Sequence, residues 1–122
     1  IEERTGLTLA LPWPDSILMP NRRAHWSVKS RAAAILRQAC FFLTRERQLE
    51  LDGGKEYIVL LTFCPPDKRA RDRDNLLAAY KSGLDGMCDA LGIDDKRIHP
   101  RPDIGPVVSG GRVEVVIVER ML

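Results

Sequence analysis

Apolar residues recur along this chain in two periods, and the switches between them mark out its elements. Leu7, Leu9 and Leu11 alternate with smaller residues over Thr5 to Leu11, the two-residue period of a half-buried strand, which Pro12 and Pro14 end. The stretch from Pro14 to Lys29 has no apolar period and reads as a loop. Ala32, Ile35, Leu36, Ala39, Phe42 and Leu43 then recur at three- and four-residue spacing. They predict a helix capped by Ser27 or Ser30 and running to about Glu50, with Arg31, Arg37, Arg45 and Arg47 off its buried stripe. Asp52-Gly53-Gly54 breaks the chain. Tyr57 to Cys64 is apolar on both faces, as a central strand is, and Pro65-Pro66 stop it.

A second helical period follows in Leu77, Tyr80, Leu84, Met87, Cys88 and Leu91, with Asp74 as N-cap and Gly92 as the stop. Beyond it, Pro100, Pro102 and Pro106 leave room only for short extended pieces around Ile104 to Val108. Gly110-Gly111 signals a hairpin turn into a last alternating strand, Arg112 to Glu119. Strand, helix, strand, helix and hairpin in that order predict an α+β fold, a small mixed β-sheet with two helices packed against it. The 122 residues, without repeats or linkers, make a single domain over 1–122.

Composition changes this picture little. Apolar content of 44% and charged content of 30% are ordinary for a soluble protein. No run approaches the ~18 apolar residues of a membrane span, and no signal peptide precedes Ile1. An isoleucine at position 1 is what trimming of the true N-terminus would leave. Cys40, Cys64 and Cys88 are odd in number and widely spaced, so they read as reduced core residues of an intracellular protein.

Charge becomes informative once it is divided. From Pro20 to Arg47 the basic residues are Arg22, Arg23, Lys29, Arg31, Arg37, Arg45 and Arg47, against Glu46 alone. From Asn75 to Asp95, Lys81 stands against Asp85, Asp89, Asp94 and Asp95. A basic half and an acidic cluster suit a polyanion held by the first and attacked at the second. The plainer alternative is that both are solvated faces.

The carboxylates carry the candidate chemistry. Asp72 and Asp74 are one residue apart before the second helix, and in an extended lead-in both project to one side. Two hard oxygen ligands suit magnesium, which keeps its remaining positions for water and phosphate. Arg69, Arg71 and Arg73 around them would pair with phosphate oxygens. The alternative is that an aspartate here is only a helix cap. Lys81, seven residues after Asp74, shares a face with Asp74, Ala78 and Asp85, where an ammonium can steady a phosphate under attack; otherwise it is an ion pair with Asp85.

A straight helix from Asn75 to Leu91 would be about 24 Å long. Asp94 and Asp95 therefore cannot share a metal with Asp72 and Asp74 of the same chain unless the helix breaks, which Gly83 and Gly86 would permit. Ala79, Gly83, Gly86 and Ala90 also form a small-residue stripe through which two copies can pack antiparallel about a two-fold, completing composite metal sites. Asn21, Arg22, Arg23, His25, Trp26 and Lys29 precede the first long helix, and arginines interleaved with an aromatic suit phosphate contacts and stacking on an unpaired base. Trp26 reads equally as a core anchor. Trp13, His25 and His99 read as structural residues.

Asp72-x-Asp74-Asn75-Leu76, followed by Asp85-Gly86 and the closing Asp94-Asp95, resembles the RusA-type Holliday junction resolvases. Leu11-Pro12-Trp13-Pro14-x-Ser16, Asn21 and Gly110-Gly111-Arg112 are similar as well. The resemblance implies a homodimeric, magnesium-dependent endonuclease, with manganese as the alternative ion and no small-molecule cofactor. Its substrate would be four-way junction DNA, cut by paired incisions in recombination and repair. It further implies a cytoplasmic protein, bacterial or phage-encoded, with no membrane partner. The metal ligands implied are Asp72, Asp74 and one of the closing pair, Asp95 ahead of Asp94. The family's helix lysine falls four residues after the second aspartate, which here is Ala78; Lys81, one turn further on, is assigned the role. The basic loop and first helix, with Asn21, Arg22, Arg23, Lys29, Arg69, Arg71 and Arg73, would hold the DNA. The rivals are a magnesium nuclease acting on other branched DNA or RNA, and a non-catalytic dimeric DNA-binding protein. A sugar-nucleotide transferase is disfavoured, because so short a chain offers no second nucleotide-binding domain.

Overall fold

The computed structural model describes residues 6–121. Its strands are β1 (Leu7–Leu11), β2 (Tyr57–Cys64), β3 (Ile98–Ile104) and β4 (Arg112–Glu119), and its helices α1 (Trp26–Glu46), α2 (Arg73–Ala79) and α3 (Lys81–Leu91). Thr5, the first residue of the expected opening strand, lies outside the described residues. The four strands form one sheet in the order β1-β4-β2-β3. β4 runs antiparallel to both β1 and β2, whereas β3 is parallel to β2. The result is a single α+β domain with a mixed sheet and three helices, because the second expected helix is two.

The alternation in β1, β2 and β4 sets the core. Leu9 and Leu11, Val59, Leu61 and Phe63, and Val113, Val115 and Ile117 are all buried on one face beneath the helices. The expectation that β2 is central holds, since β4 and β3 flank it. Its second apolar face is not covered by a helix: Leu60 is 41% exposed, and Ile58 and Val116 are half-buried.

Two expectations for the last third are corrected. Ile98–Ile104 is a seven-residue strand despite its prolines. It lies at the sheet edge, and Pro100 and Pro102, two residues apart, take positions whose missing N–H would face away from β2. Gly110 and Gly111, with φ of +79° and +72°, do form a tight turn. That turn does not close a hairpin, because β3 and β4 lie on opposite sides of β2.

The first helix starts and ends earlier than its apolar period suggests. His25 is its N-cap, with Nδ1 accepting the Ser27 N–H at 3.2 Å. The helix ends at Glu46, followed by Gln48 in a left-handed conformation at φ 51°. The buried stripe is Leu36, Cys40 and Thr44, not Ile35, Phe42 and Leu43, which are 61%, 54% and 39% exposed. Apolar residues occupy two neighbouring stripes of α1. The one with smaller side chains turns inward because α3 approaches there with glycines.

That approach corrects the small-residue stripe too. α1 and α3 run antiparallel: Gly86 faces the Arg37 carbonyl, Gly83 faces Cys40 and Tyr80, and Arg37 pairs with Asp89 at 2.7 Å. Gly83, Gly86 and Ala79 are buried within one chain and offer no surface to a second copy. The cysteines are free and buried, as expected. Burial pushes the Cys40 thiol up to about 11, partly opposed by its hydrogen bond with Tyr80. At pH 8 iodoacetamide is expected to alkylate Cys40 in the folded protein at least ~100-fold more slowly than in urea, read by mass spectrometry; equal rates would show the α1–α3 contact opening freely.

Candidate metal and nucleic-acid site

The site is built around the break between α2 and α3. Tyr80 sits there at φ −94° and ψ 4°, serving as C-cap of α2 and N-cap of α3. Its side chain is fully buried, and its hydroxyl donates to the Pro12 carbonyl at 2.8 Å. Its ring meets Phe63 edge-on with centroids 5.7 Å apart. Gly83 leaves room for the ring, since a Cβ there would come within 2.8 Å of Tyr80 Cε2. The aromatic is thus buried with its hydroxyl satisfied at the junction of the two helices. The glycines thus make the break possible, but it falls at the tyrosine.

Residues from both helices and from the start of β3 line one cleft of about 370 Å³. Asp74, Ala78, Lys81 and Asp85 line it from the α2–α3 face, and Asp95 lines it as well, above an apolar floor that includes Leu84 and Ile98. Asp74 and Asp95 therefore share a cleft within one chain, and a second copy has no part in bringing them there. Lys81 Nζ lies 4.0 Å from Asp85 Oδ1, and the lysine side chain is 75% exposed. It shares the wall of the cleft with Ala78. Asp85 is the residue that reasoning from sequence passed over as an ion-pair partner; its seven-residue and eleven-residue spacing from Ala78 and Asp74 on one helical face was the available signal.

The other expected ligands sit differently. Asp72, not Asp74, is the N-cap of α2: its Oδ1 accepts the Asp74 and Asn75 N–H groups at 2.8 and 3.1 Å. Asp74 falls in the first helical turn, where a negative charge also favours the helix dipole. Asp72 is exposed beside the cleft and does not line it. Asp94 caps a 3-10 turn at Asp95–Arg97 through the Lys96 N–H, at 2.9 Å. That bond, helped by the positive charges of Lys96 and Arg97, holds the Asp94 carboxyl below its ordinary range. Inside the α3 turn, Cys88 is pushed up to about 12 by burial and then by the negative field of Asp95, Asp85, Asp89 and Asp94.

Among the described residues, no group of three or more His, Cys, Asp or Glu side chains is placed to hold a metal ion. Magnesium rarely uses such a group. It takes one or two protein carboxylates and completes its shell with water and phosphate. Asp74, Asp85 and Asp95 line the cleft as hard oxygen donors, with an exposed lysine beside them.

The basic residues divide. Arg71 is tied inward: it donates to the Asp67 and Arg69 carbonyls at 3.1 Å, pairs with Asp67 at 2.9 Å and stacks 5.4 Å over the Trp13 ring. Its side chain is only 15% exposed, so its geometry is structural. Arg69 and Arg73 stay exposed, with long pairs to Asp67 and Asp103 at 3.3 and 3.9 Å. Asn21, Arg22 and Arg23 are exposed on the loop before α1, and Lys29 is half-buried. Trp26 is 73% exposed and is no core anchor. Trp13 packs edge-on against Phe63 and over Gly111. His99 pairs with Glu56 at 2.6 Å and does not line the cleft, although its neighbours Ile98 and Pro100 do.

Fold and cleft together define a small α+β domain with a carboxylate-lined cleft at a helix break. No family model matches the chain. Over 116 residues, covering 90% of this chain and 74% of its relative, the chain is 36% identical to an uncharacterized protein of Xylella fastidiosa (strain Temecula1 / ATCC 700964). It belongs to the same family as that protein. Among the described residues, no helix is long and apolar enough to cross a membrane.

Proposed function

We propose that this protein is a magnesium-dependent endonuclease that resolves four-way DNA junctions by paired phosphodiester cleavage, acting as a homodimer. The observation that carries the reading is the single cleft in which Asp74, Asp85 and Asp95 flank Lys81. The D-x-D-N-L and D-D residues of the RusA-like pattern contribute two of those three carboxylates. Asp74 and Asp95 would hold magnesium as two carboxylate ligands, with water and substrate phosphate in its other positions and Asp85 beside Lys81 on the cleft wall. The ion would supply a Lewis acid to a phosphodiester lying across the cleft. Lys81, whose ammonium is held only by a 4.0 Å contact to Asp85, is free to swing toward the phosphate and offset its growing negative charge. Arg69 and Arg73 flank the entry to α2, and Arg22, Arg23 and Lys29 at the start of α1 would hold the duplex arms through their phosphates.

The test is cleavage of a four-way junction in magnesium, with linear duplex of the same sequence as control and calcium as the binding-only condition. Symmetrical nicks in the junction alone are expected. Equal cutting of other branched DNA or RNA would make the protein a broader nuclease. Binding in calcium without cutting in magnesium would make it a non-catalytic DNA-binding protein.

A further inference from the structure

The sheet has two apolar faces, and the helices cover only one of them. By the register of β2 with β4, Ile58 lies beside Val118 and Leu60 beside Val116 on the uncovered side. Leu60 is 41% exposed, and the other three are half-buried. A sheet face left to water is ordinarily polar at alternate positions. A strand that is apolar on both sides and paired in parallel, as β2 is with β3, belongs instead to a sheet covered on both faces. The charges that end this patch are already matched within the chain. Past Ile58, Glu56 bonds His99 at 2.6 Å and Arg120 at 3.4 Å; past Leu60, Arg112 pairs with Glu114 at 2.7 Å.

We infer that this face is the dimer interface, covered by the same face of a second copy of this chain. A two-fold axis running along the strands, midway between β2 and β4, sets Ile58 on Val118 and Leu60 on Val116 of the second copy. It also brings Glu56 over Arg120 and Glu114 over Thr62, so no like charges are opposed in these strands. The patch is therefore complementary to itself, as an interface about a two-fold requires. Its matched charges give a polyanion no advantage there. Four strands spaced by ~4.8 Å, each of five to eight residues, make a face of about 20 by 23 Å. Two such faces, with their side-chain relief, bury about 1,000 Å², the size at which specific interfaces begin. The rival surface for a second copy is the exposed apolar stripe of α1. It is one helix wide, and Lys29, Arg31 and Arg45 stand on that helix against Glu46 alone, so two such helices repel. Sheet-on-sheet packing leaves the helices of both copies outermost, and with them both acidic clefts. The inference deepens the homodimer of the proposed function and rests on that reading for its role, two clefts for two incisions.

The test is the mass of the intact protein by sedimentation equilibrium over roughly 1–100 µM. A dimer of twice the 13.7 kDa chain is expected. Leu60→Lys is expected to weaken it at least ~100-fold, because the two-fold places the substituted charge in the interface twice. Leu60→Thr, which keeps a strand-forming residue in place, is expected to weaken it about tenfold. Circular dichroism of both variants should match the parent, and the rise of Tm with protein concentration should vanish in Leu60→Lys. Ile35→Glu, on the outer face of α1, should leave the dimer intact. A parent that stays monomeric throughout, a dimer indifferent to both Leu60 variants, or one that Ile35→Glu dissociates overturns the inference. A dimer that Leu60→Lys dissociates but that cuts no junction would sink the nuclease reading alone. Paired junction cutting by a protein whose dimer ignores the Leu60 variants would sink this inference alone.

Discussion

Asp74→Asn and Asp95→Asn are each expected to reduce junction cleavage on the order of 10³-fold, the rate equivalent of several kcal/mol of lost charge stabilisation. Both carboxylates are exposed and line the cleft, so an isosteric amide removes charge without opening the core. Folding should change little, by no more than the ~0.3–1 kcal/mol that Asp74 contributes against the α2 dipole. Asp85→Asn is expected to fall in the same class, about 10²-fold, because it shares the cleft wall and holds Lys81. Asp72→Ala should differ in kind: loss of the cap to two N–H groups costs about 1 kcal/mol of stability. The measurement is single-turnover cleavage at saturating protein, with junction affinity in calcium as the binding control. An Asp95→Asn protein cutting at the parental rate would remove the cleft from the mechanism.

Gly86→Ala carries the largest expected loss of stability. An added Cβ would lie 2.1 Å from the Arg37 carbonyl oxygen and 2.9 Å from its carbonyl carbon. Those are backbone atoms of a long helix and cannot rotate away, so α1 must move off α3. Overpacking of this kind costs about 3 kcal/mol or more, a fall of roughly 10 °C in Tm for a domain of this size. Because α3 forms one wall of the acidic cleft, cleavage should fail with the fold. Gly53→Ala, with nothing within 4 Å of its new methyl, is the matched control and should be near neutral. A Gly86→Ala protein melting within a degree or two of its parent would mean that the two helices do not pack this closely.

The same glycine shows how far the sequence could be read. A small-residue stripe on a helix announces that another backbone comes near, and it does. What it cannot announce is whose backbone: a second copy and the chain's own α1 present the same pattern, and only the antiparallel pairing of Arg37 with Asp89 decides for α1. Likewise the apolar residues of α1 fill two adjacent stripes, and periodicity has no means of choosing between them. The prolines of β3 argued against a strand because the rule against proline applies to central strands; its edge position, a property of the assembled sheet, lifts the objection.

Taken alone, the sequence determined the elements whose pattern is local: two strands by their alternation and a third by its continuous apolar run, the helix stop at Gly92, the structural part of Trp13, the buried state of the cysteines, and the shared face of Asp74, Lys81 and Asp85. Each follows from spacing along a regular backbone. Tertiary structure decided everything that depends on where two distant segments meet. It placed Asp95 in the cleft of Asp74, and it tied the hydroxyl of Tyr80 to Pro12, 68 residues away. It turned Arg71 inward onto Trp13, left Trp26 in solvent, and buried Gly83 and Gly86 within the chain. Hydrophobic period is written residue by residue, whereas these contacts arise between parts of the chain that carry no mark of one another until they fold together.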